Sequence, residues 1–164
     1  MNETRCRGVA ENLVALLKAR ELTCATAESC TGGGVGSAIT AIPGSSSVFV
    51  GGVVSYSNAV KHSVLGVRDD TLSTVGAVSA ETAAQMADGV RRLLNVDIAV
   101  SVTGIAGPDG GSELKPVGLV WFGLSAKDGT RTERAIFRGN RAEVRQQAVV
   151  HALGMLTVAA TIGA

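Results

Sequence analysis

The stretch that decides the fold is Ala27-Glu-Ser-Cys-Thr-Gly-Gly-Gly34, which joins two segments of different character. An apolar, strand-like segment, residues 22–27, runs into it, and a helix-like segment of small residues, 35–42, leaves it. A strand that turns sharply into a helix places the junction at the carboxyl edge of a sheet, where open α/β folds bind ligands. The start of the helix offers unpaired N–H groups that suit an anion or a developing oxyanion. One side chain could therefore attack a substrate while the backbone holds negative charge.

The same stretch also fits a purely structural interpretation. Ser29 or Thr31 is a suitable helix cap, and the glycines suit a tight turn. Taken alone, these eight residues favour the cap and turn, so other parts of the chain must decide whether they form a site.

The composition indicates a globular protein, and the chain of 164 residues predicts a single domain spanning 1–164. Aromatic residues make up only 3% and the net charge is +1, which disfavours a nucleic-acid surface. The three cysteines match neither a disulfide framework nor a zinc site, so reduced thiols and a cytoplasmic location are expected. No apolar run reaches the roughly 18 residues of a membrane span, and residues 1–5 lack the apolar core of a signal peptide.

Hydrophobic periodicity and turn residues predict the order of helices and strands. Helices are expected over 5–20, 35–42 and 59–65, from Asp69, from Ser79 to Asn95, and from Asn140 onward. Strands are expected over 22–27, 48–56, 96–105, 117–126 and 130–138. The Asp128-Gly129 pair predicts a hairpin, so the last two strands are antiparallel. The order predicts an α/β fold: a three-layer α/β/α sandwich with a mixed, mostly parallel sheet of about five strands.

Three stretches that follow predicted strands, 29–34, 56–61 and 103–111, meet at one sheet edge if their strands are parallel. Lys61 is the most informative residue among them. With Asn58 as the helix cap, Lys61 is the third helical residue, where the positive end of the dipole lowers its pKa. A neutral lysine can act as general base for a serine. The alternative is a solvated lysine that falls early in a short helix.

Other reactive side chains near this edge have competing interpretations. Tyr56, the single tyrosine, could donate a hydrogen bond or stack on a ring, or it could simply pack at the strand end. Cys30 is a rival nucleophile near a helix start, but it has no evident base. His151 lies close to the apolar stripe of the last helix, which favours a packed residue, and no spacing matches a metal site.

The loop over 103–111 contains more glycine than a plain connection needs, which lets its backbone approach a ligand closely. Arg141 and Arg145 lie four residues apart near the start of the last helix. Two arginines there suit a phosphate or carboxylate, although a solvated charged face is the alternative.

Six motifs in a fixed order make the sequence specific. They are Ala27-Glu-Ser-Cys-Thr-Gly-Gly33, Tyr56-Ser-Asn58 with Lys61, Gly76-Ala-Val-Ser79, Thr103-Gly-Ile-Ala-Gly-Pro-Asp-Gly-Gly111, Lys115-Pro-Val-Gly118 and Phe137-Arg-Gly-Asn-Arg141. With them the chain resembles the CinA C-terminal domain family from about residue 8 to 157. The family's stand-alone members include nicotinamide-nucleotide amidases. Its fused relatives carry an additional N-terminal domain, and the stand-alone form is expected here.

The resemblance implies deamidation of nicotinamide mononucleotide to nicotinic acid mononucleotide and ammonia, without a metal or organic cofactor. It assigns the nucleophile role to Ser29, the base role to Lys61 and a supporting role to Tyr56. Oxyanion donors are expected among the backbone N–H groups near Cys30 to Gly33 or in the Thr103-Gly104 turn. Glycine turns with one of the two arginines are expected to hold the 5′-phosphate. The substrate-binding set is therefore Cys30, Thr31, Gly32, Gly33, Thr103, Gly104, Gly107, Arg141 and Arg145.

Gly34 departs from the family, whose members commonly have a bulky residue after the Gly-Gly pair. The departure predicts a different pocket shape, so an amidase for another small carboxamide is one alternative. A non-catalytic module that binds a pyridine nucleotide is the other. A small-molecule partner is expected, with no nucleic acid and no membrane. An edge strand from the predicted hairpin makes a homodimer a further expectation.

Overall fold

The computed structural model describes residues 3–163, in which helices precede and separate the first three strands, and a hairpin and a last helix follow. The helices are α1 (Glu3–Arg20), α2 (Gly34–Thr40), α3 (Asn58–Leu65), α4 (Asp69–Thr74), α5 (Ala80–Leu94) and α6 (Arg141–Ile162). The strands are β1 (Cys24–Glu28), β2 (Phe49–Val54), β3 (Ile98–Gly104), β4 (Leu119–Ala126) and β5 (Gly129–Ile136). A single 3-10 turn, Ser45–Ser47, lies between α2 and β2. Each predicted element is present, with ends that differ by a few residues.

The five strands form one mixed sheet in the order β2-β1-β3-β4-β5. Strands β2, β1 and β3 are parallel, and β4 and β5 add to β3 as an antiparallel pair. The predicted hairpin is confirmed, but Ala126 pairs with Gly129, so the two turn residues are Lys127 and Asp128. Gly129 opens β5 with a φ of 131°, a conformation that only glycine adopts readily.

Alternation along the strands divides the core between two helical layers. Val100 of β3 lies in a cluster with apolar side chains of α1, α2 and α6. Ala27 of β1 and Ala99 of β3 lie in a second cluster with side chains of α3 and α5. Because successive strand residues point to opposite faces, each central strand serves both layers. The three-layer α/β/α sandwich is therefore confirmed.

Capping residues start α3, α5 and α6, the three helices that begin near the carboxyl ends of the parallel strands. Ser79 caps α5, and Asn140 caps α6 in a reciprocal capping box with Glu143, at the two positions where the sequence predicts that these helices begin. The predicted cap of α3 is wrong, because the Ser57 hydroxyl accepts the Val60 N–H at 3.2 Å. Ser57 has the extended backbone of a cap, so Asn58 is the first helical residue.

Candidate active site

The centre of the candidate site is a contact between Ser29 and Lys61. Ser29 follows β1 and continues the alternation of Ala25 and Ala27, so its side chain points to the layer of α3 and α5. Lys61 projects from the fourth position of α3. Its Nζ lies 3.0 Å from the Ser29 Oγ, and the Lys61 side chain is buried, at 1% exposure.

The Lys61 amine lies between three oxygen atoms. Besides Ser29 Oγ, it contacts the backbone carbonyl oxygens of Ser55 at 2.8 Å and Tyr56 at 3.2 Å. Burial lowers the pKa of Lys61, because desolvation penalises its charged form. The predicted direction of the pKa shift holds, but burial causes it rather than a third-residue position, since Lys61 is the fourth residue of α3.

A neutral amine has two hydrogens and one lone pair. When the Lys61 amine is neutral, the carbonyls of Ser55 and Tyr56 can accept its two hydrogens, which leaves its lone pair for the Ser29 hydroxyl proton. The arrangement orients a base towards a hydroxyl, which is the chemistry of a nucleophile and its general base.

The ends of β1, β2 and β3 form a cleft of about 230 Å³ around this pair. Thr103 lies beside Ser29, one step beyond the paired residues Glu28 and Val102. The predicted residues that line the cleft are Ser29, Cys30, Tyr56, Lys61, Thr103, Gly104 and Arg141. The sequence reasoning did not assign four further lining residues to the site: Asn58, Ala77, Val78 and Ala106. Asn58 was interpreted as the helix cap, and Ser57 takes that role.

The two arginines have different neighbours. Arg141 lines the cleft, where its guanidinium donates to the Gly107 carbonyl at 2.8 Å and to the Tyr56 hydroxyl at 3.1 Å. Arg145 lies outside the lining and donates to the carbonyls of Cys30 at 3.1 Å and Thr31 at 3.2 Å. Arg141 can therefore meet a ligand in the cleft, while Arg145 braces the turn after Ser29.

Several predicted binding residues do not line the cleft and instead make hydrogen bonds within the turn after Ser29. The Thr31 hydroxyl donates to Glu28, and so does the Gly33 N–H. The Gly32 N–H donates to the Ser29 carbonyl at 3.0 Å. Within residues 3–163, no other residue accepts a hydrogen bond from the N–H groups of Cys30 and Thr31, and the Cys30 N–H contacts only its own thiol. Of the four N–H groups of Cys30, Thr31, Gly32 and Gly33, these two therefore have no acceptor on another residue.

Cys30 has the properties of a core residue. It belongs to the cluster under α1, α2 and α6, and burial raises the pKa of its thiol to about 11. A thiol with that pKa is protonated near neutral pH and is a poor nucleophile. Neither histidine serves it as a base: His62 Nδ1 lies 2.8 Å from the Val67 carbonyl oxygen, and His151 stacks on Phe122. Neither lines the cleft.

The expectation for Gly34 is wrong. Gly34 does not line the Ser29 cleft, and a Cβ built on it would lie 2.9 Å from the Val149 Cγ2 of α6. The missing side chain permits close contact between α2 and α6 on the other face of the sheet. A groove of about 1030 Å³ between α1, α2 and α6 includes Gly34, but it does not include Ser29 or Lys61.

Sequence reasoning also missed Glu28, the last residue of β1. Its side chain is 1% exposed and contacts the turn and the start of α2. A signal was available, because a carboxylate that ends an apolar strand just before a helix can accept the unpaired N–H groups.

Residues 3–163 contain no group of three or more His, Cys, Asp or Glu side chains placed to hold a metal ion. Among the same residues, no helix has the length and apolar character needed to cross a membrane.

The sequence and the fold are similar to those of known proteins, and the similarity defines the family. The chain belongs to the CinA C-terminal domain family, whose profile matches residues 7–159. A particular relative is the nicotinamide-nucleotide amidohydrolase PncC of Enterobacter agglomerans. It is 51% identical over 154 residues, which cover 93% of this chain and 94% of that protein.

Longer proteins and solved structures are also similar. The chain spans about a third of the length of the first curated relatives it matches; one from Halothermothrix orenii is 56% identical over 79% of this chain and 32% of its own length. The competence/damage inducible protein CihA from Agrobacterium tumefaciens has 42% identity and a TM-score of 0.92, with 96% of each chain covered. A CinA superfamily protein from Escherichia coli has 32% identity and a TM-score of 0.91, over 96% of this chain and 93% of its own.

Proposed function

We propose that the protein is an amidohydrolase that deamidates nicotinamide mononucleotide to nicotinic acid mononucleotide and ammonia. The observation that carries the proposal is the buried Lys61 amine, 3.0 Å from the Ser29 hydroxyl and held by two carbonyls. The similarity to PncC of Enterobacter agglomerans supports the choice of substrate.

In the first half of the reaction, Ser29 attacks the carboxamide carbon while neutral Lys61 takes the Ser29 hydroxyl proton. The new C–O bond forms a tetrahedral oxyanion, to which the N–H groups of Cys30 and Thr31 donate. The C–N bond then breaks, and protonated Lys61 gives its proton to the departing nitrogen, which leaves as ammonia. The product of this half is an ester on Ser29.

In the second half, water replaces ammonia. Lys61, neutral again, takes a proton from the water as its oxygen attacks the ester carbon. The same backbone donors hold the second oxyanion. The ester C–O bond breaks, Ser29 recovers its proton from Lys61, and the acid product loses its own proton to solvent and leaves as a carboxylate.

Arg141 is the arginine that we assign to the 5′-phosphate. Its guanidinium lines the cleft and is oriented by the Gly107 carbonyl and the Tyr56 hydroxyl. A planar guanidinium with several donors suits a phosphate. Through Arg141, Tyr56 has a supporting role: it holds the guanidinium and places its exposed ring at the cleft, where a pyridine can stack.

The test is ammonia release from nicotinamide mononucleotide by wild type and by Ser29→Ala. We expect steady turnover by wild type and a loss of at least about 10³-fold in Ser29→Ala, as for loss of a nucleophile that acts with its base. Ser125→Ala is the matched control, because its hydroxyl bonds Asp88, away from the cleft. Binding of the nucleotide without any ammonia release by wild type would support the alternative, a non-catalytic binding module.

We further infer a single domain over 1–164 that acts in the cytoplasm on a small molecule rather than on nucleic acid. Free thiols at Cys6, Cys24 and Cys30 support the location. The net charge of +1 and few aromatic residues support the small-molecule substrate. Strand β5 ends the sheet, and we propose this edge as the place where two copies pair.

A further inference from the structure

Glu28 is a buried carboxylate that the proposed reaction does not consume. It ends β1, and its side chain is 1% exposed. One oxygen accepts the Thr31 hydroxyl at 2.6 Å and the N–H groups of Gly33 at 3.1 Å and Val35 at 3.0 Å. The other oxygen accepts the Gly36 N–H at 2.9 Å. Four donors therefore converge on one acceptor-only group.

These contacts replace a missing local cap. Helix α2 begins after Gly33, which has no side chain with which to cap it. An ionised carboxylate accepts hydrogen bonds at both oxygens, and bonds of this kind are about twice as strong as neutral ones. Glu28 thereby ties the start of α2 and the turn after Ser29 to the end of β1.

The same turn is held on its other side by α6. Arg145 donates to the Cys30 carbonyl, which belongs to the same peptide unit as the Thr31 N–H. In a trans peptide the carbonyl and the N–H point in opposite directions, so this contact turns the Thr31 N–H away from Arg145. The Gly32 and Gly33 N–H groups are occupied, by the Ser29 carbonyl and by Glu28.

We propose that Glu28 is a positioning residue that holds the turn over 29–33 so that the Cys30 and Thr31 N–H groups stay free to bind the oxyanion. The inference rests on the proposed function, because it assigns a role within the same site. Glu28 points to the α2 face while Ser29 points to Lys61, so Glu28 acts through the backbone and not by contact with the substrate.

The test compares Glu28→Gln with wild type in ammonia release from nicotinamide mononucleotide. A glutamine NH2 group faces either the Gly36 N–H or the three donors on the other oxygen, and in both orientations donor meets donor, so the turn and the start of α2 must shift. Since loss of one oxyanion donor costs about 10²–10³ in kcat, we expect a fall in kcat of about 10²-fold, with KM within about threefold. Asp88→Asn is the control, because it alters a carboxylate hydrogen-bonded by Ser125 and Thr130, away from the cleft.

A second readout uses a fluorophosphonate ester that labels serine nucleophiles. Ser29 oxygen bonds to phosphorus, fluoride leaves with the P–F electron pair, and Lys61 takes the hydroxyl proton. The labelling rate in Glu28→Gln should fall with kcat, because the phosphoryl oxygen uses the same donors. The pH at which labelling rises should stay unchanged, since Glu28 makes no contact with Lys61. Rapid labelling of wild type without ammonia release would show that nicotinamide mononucleotide is not the substrate. The role of Glu28 could then still be measured from the labelling rates of wild type and Glu28→Gln.

Thr31→Val keeps the test decisive if Glu28→Gln folds poorly. It removes one donor to Glu28 and leaves three N–H contacts, so we expect a smaller fall in kcat, about threefold to tenfold, with fold and KM kept. Circular dichroism and the titre of labelled sites correct each rate for folded enzyme. The proposal is overturned if kcat per labelled site of folded Glu28→Gln, or of Thr31→Val where the first does not fold, equals that of wild type.

Discussion

Replacing Lys61 by methionine separates what the buried amine does for catalysis from what it does to stability. Methionine is similar in length, flexible and uncharged, so it fills the buried space without a proton to exchange. General base catalysis contributes about 10²–10⁴ in rate. We therefore expect kcat/KM for nicotinamide mononucleotide to fall about 10³-fold, which corresponds to about 4 kcal/mol of transition-state stabilisation.

The stability effect has a definite sign because burial lowers the pKa of Lys61. Between this lowered pKa and the unfolded-state pKa of about 10.4, the unfolded chain binds more protons than the folded one. The free energy of unfolding of wild type therefore rises with pH across that window, and below it the penalty of the buried charge is complete. Lys61→Met has no such titration, so wild type gains stability relative to the variant towards pH 10.

Two measurements check this prediction. Ammonia release by wild type should rise with pH, with its inflection below the usual lysine pKa, while Lys61→Met stays low and flat. Denaturant unfolding at several pH values from 7 to 10 gives the stability difference. Lys127→Met, in the exposed hairpin turn, is the control for loss of a lysine charge. Retention of more than about a tenth of wild-type kcat/KM, or a stability difference that does not change with pH, would refute the reasoning.

Three further predictions concern the surroundings of the pair. Arg141→Ala should raise KM for the mononucleotide by about 10–10²-fold, a scale expected for a charge-assisted contact, and should change KM for nicotinamide riboside little; equal effects on both would exclude the phosphate role. Cys30→Ala should keep kcat within about threefold, because its protonated thiol is no nucleophile, and a 10²-fold loss would return Cys30 to the candidates. Gly34→Leu should lower stability by about 1–3 kcal/mol through overpacking against Val149, with kcat kept; thermal melts should show partial recovery on adding Val149→Ala, and no loss would contradict the close helix contact.

Local signals in the sequence were sufficient for the layered fold. The apolar runs, the caps at Ser79 and Asn140 and the hairpin before Gly129 each depend on residues close together in the chain. The Ser29 turn was located for the same reason, since a strand, a glycine turn and a helix follow one another within about twenty residues. The cap of α3 was misassigned because Ser57 and Asn58 are both good caps and adjacent.

By itself, then, the sequence determined which elements form and which three chain segments meet at the carboxyl edge. Tertiary structure decided which side chains of those segments are buried and which hydrogen-bond partners they meet. Lys61 is 32 residues from Ser29, and its lowered pKa depends on burial, which no local pattern specifies. Arg141 and Arg145 lie four residues apart on one helix face, so the sequence does not distinguish them. Only the packing of α6 places Arg141 against the Gly107 carbonyl in the cleft and Arg145 against the Cys30 carbonyl in the turn after Ser29. The physical reason is that desolvation and hydrogen-bond partners depend on contacts between distant segments, which exist only once the sheet register is set.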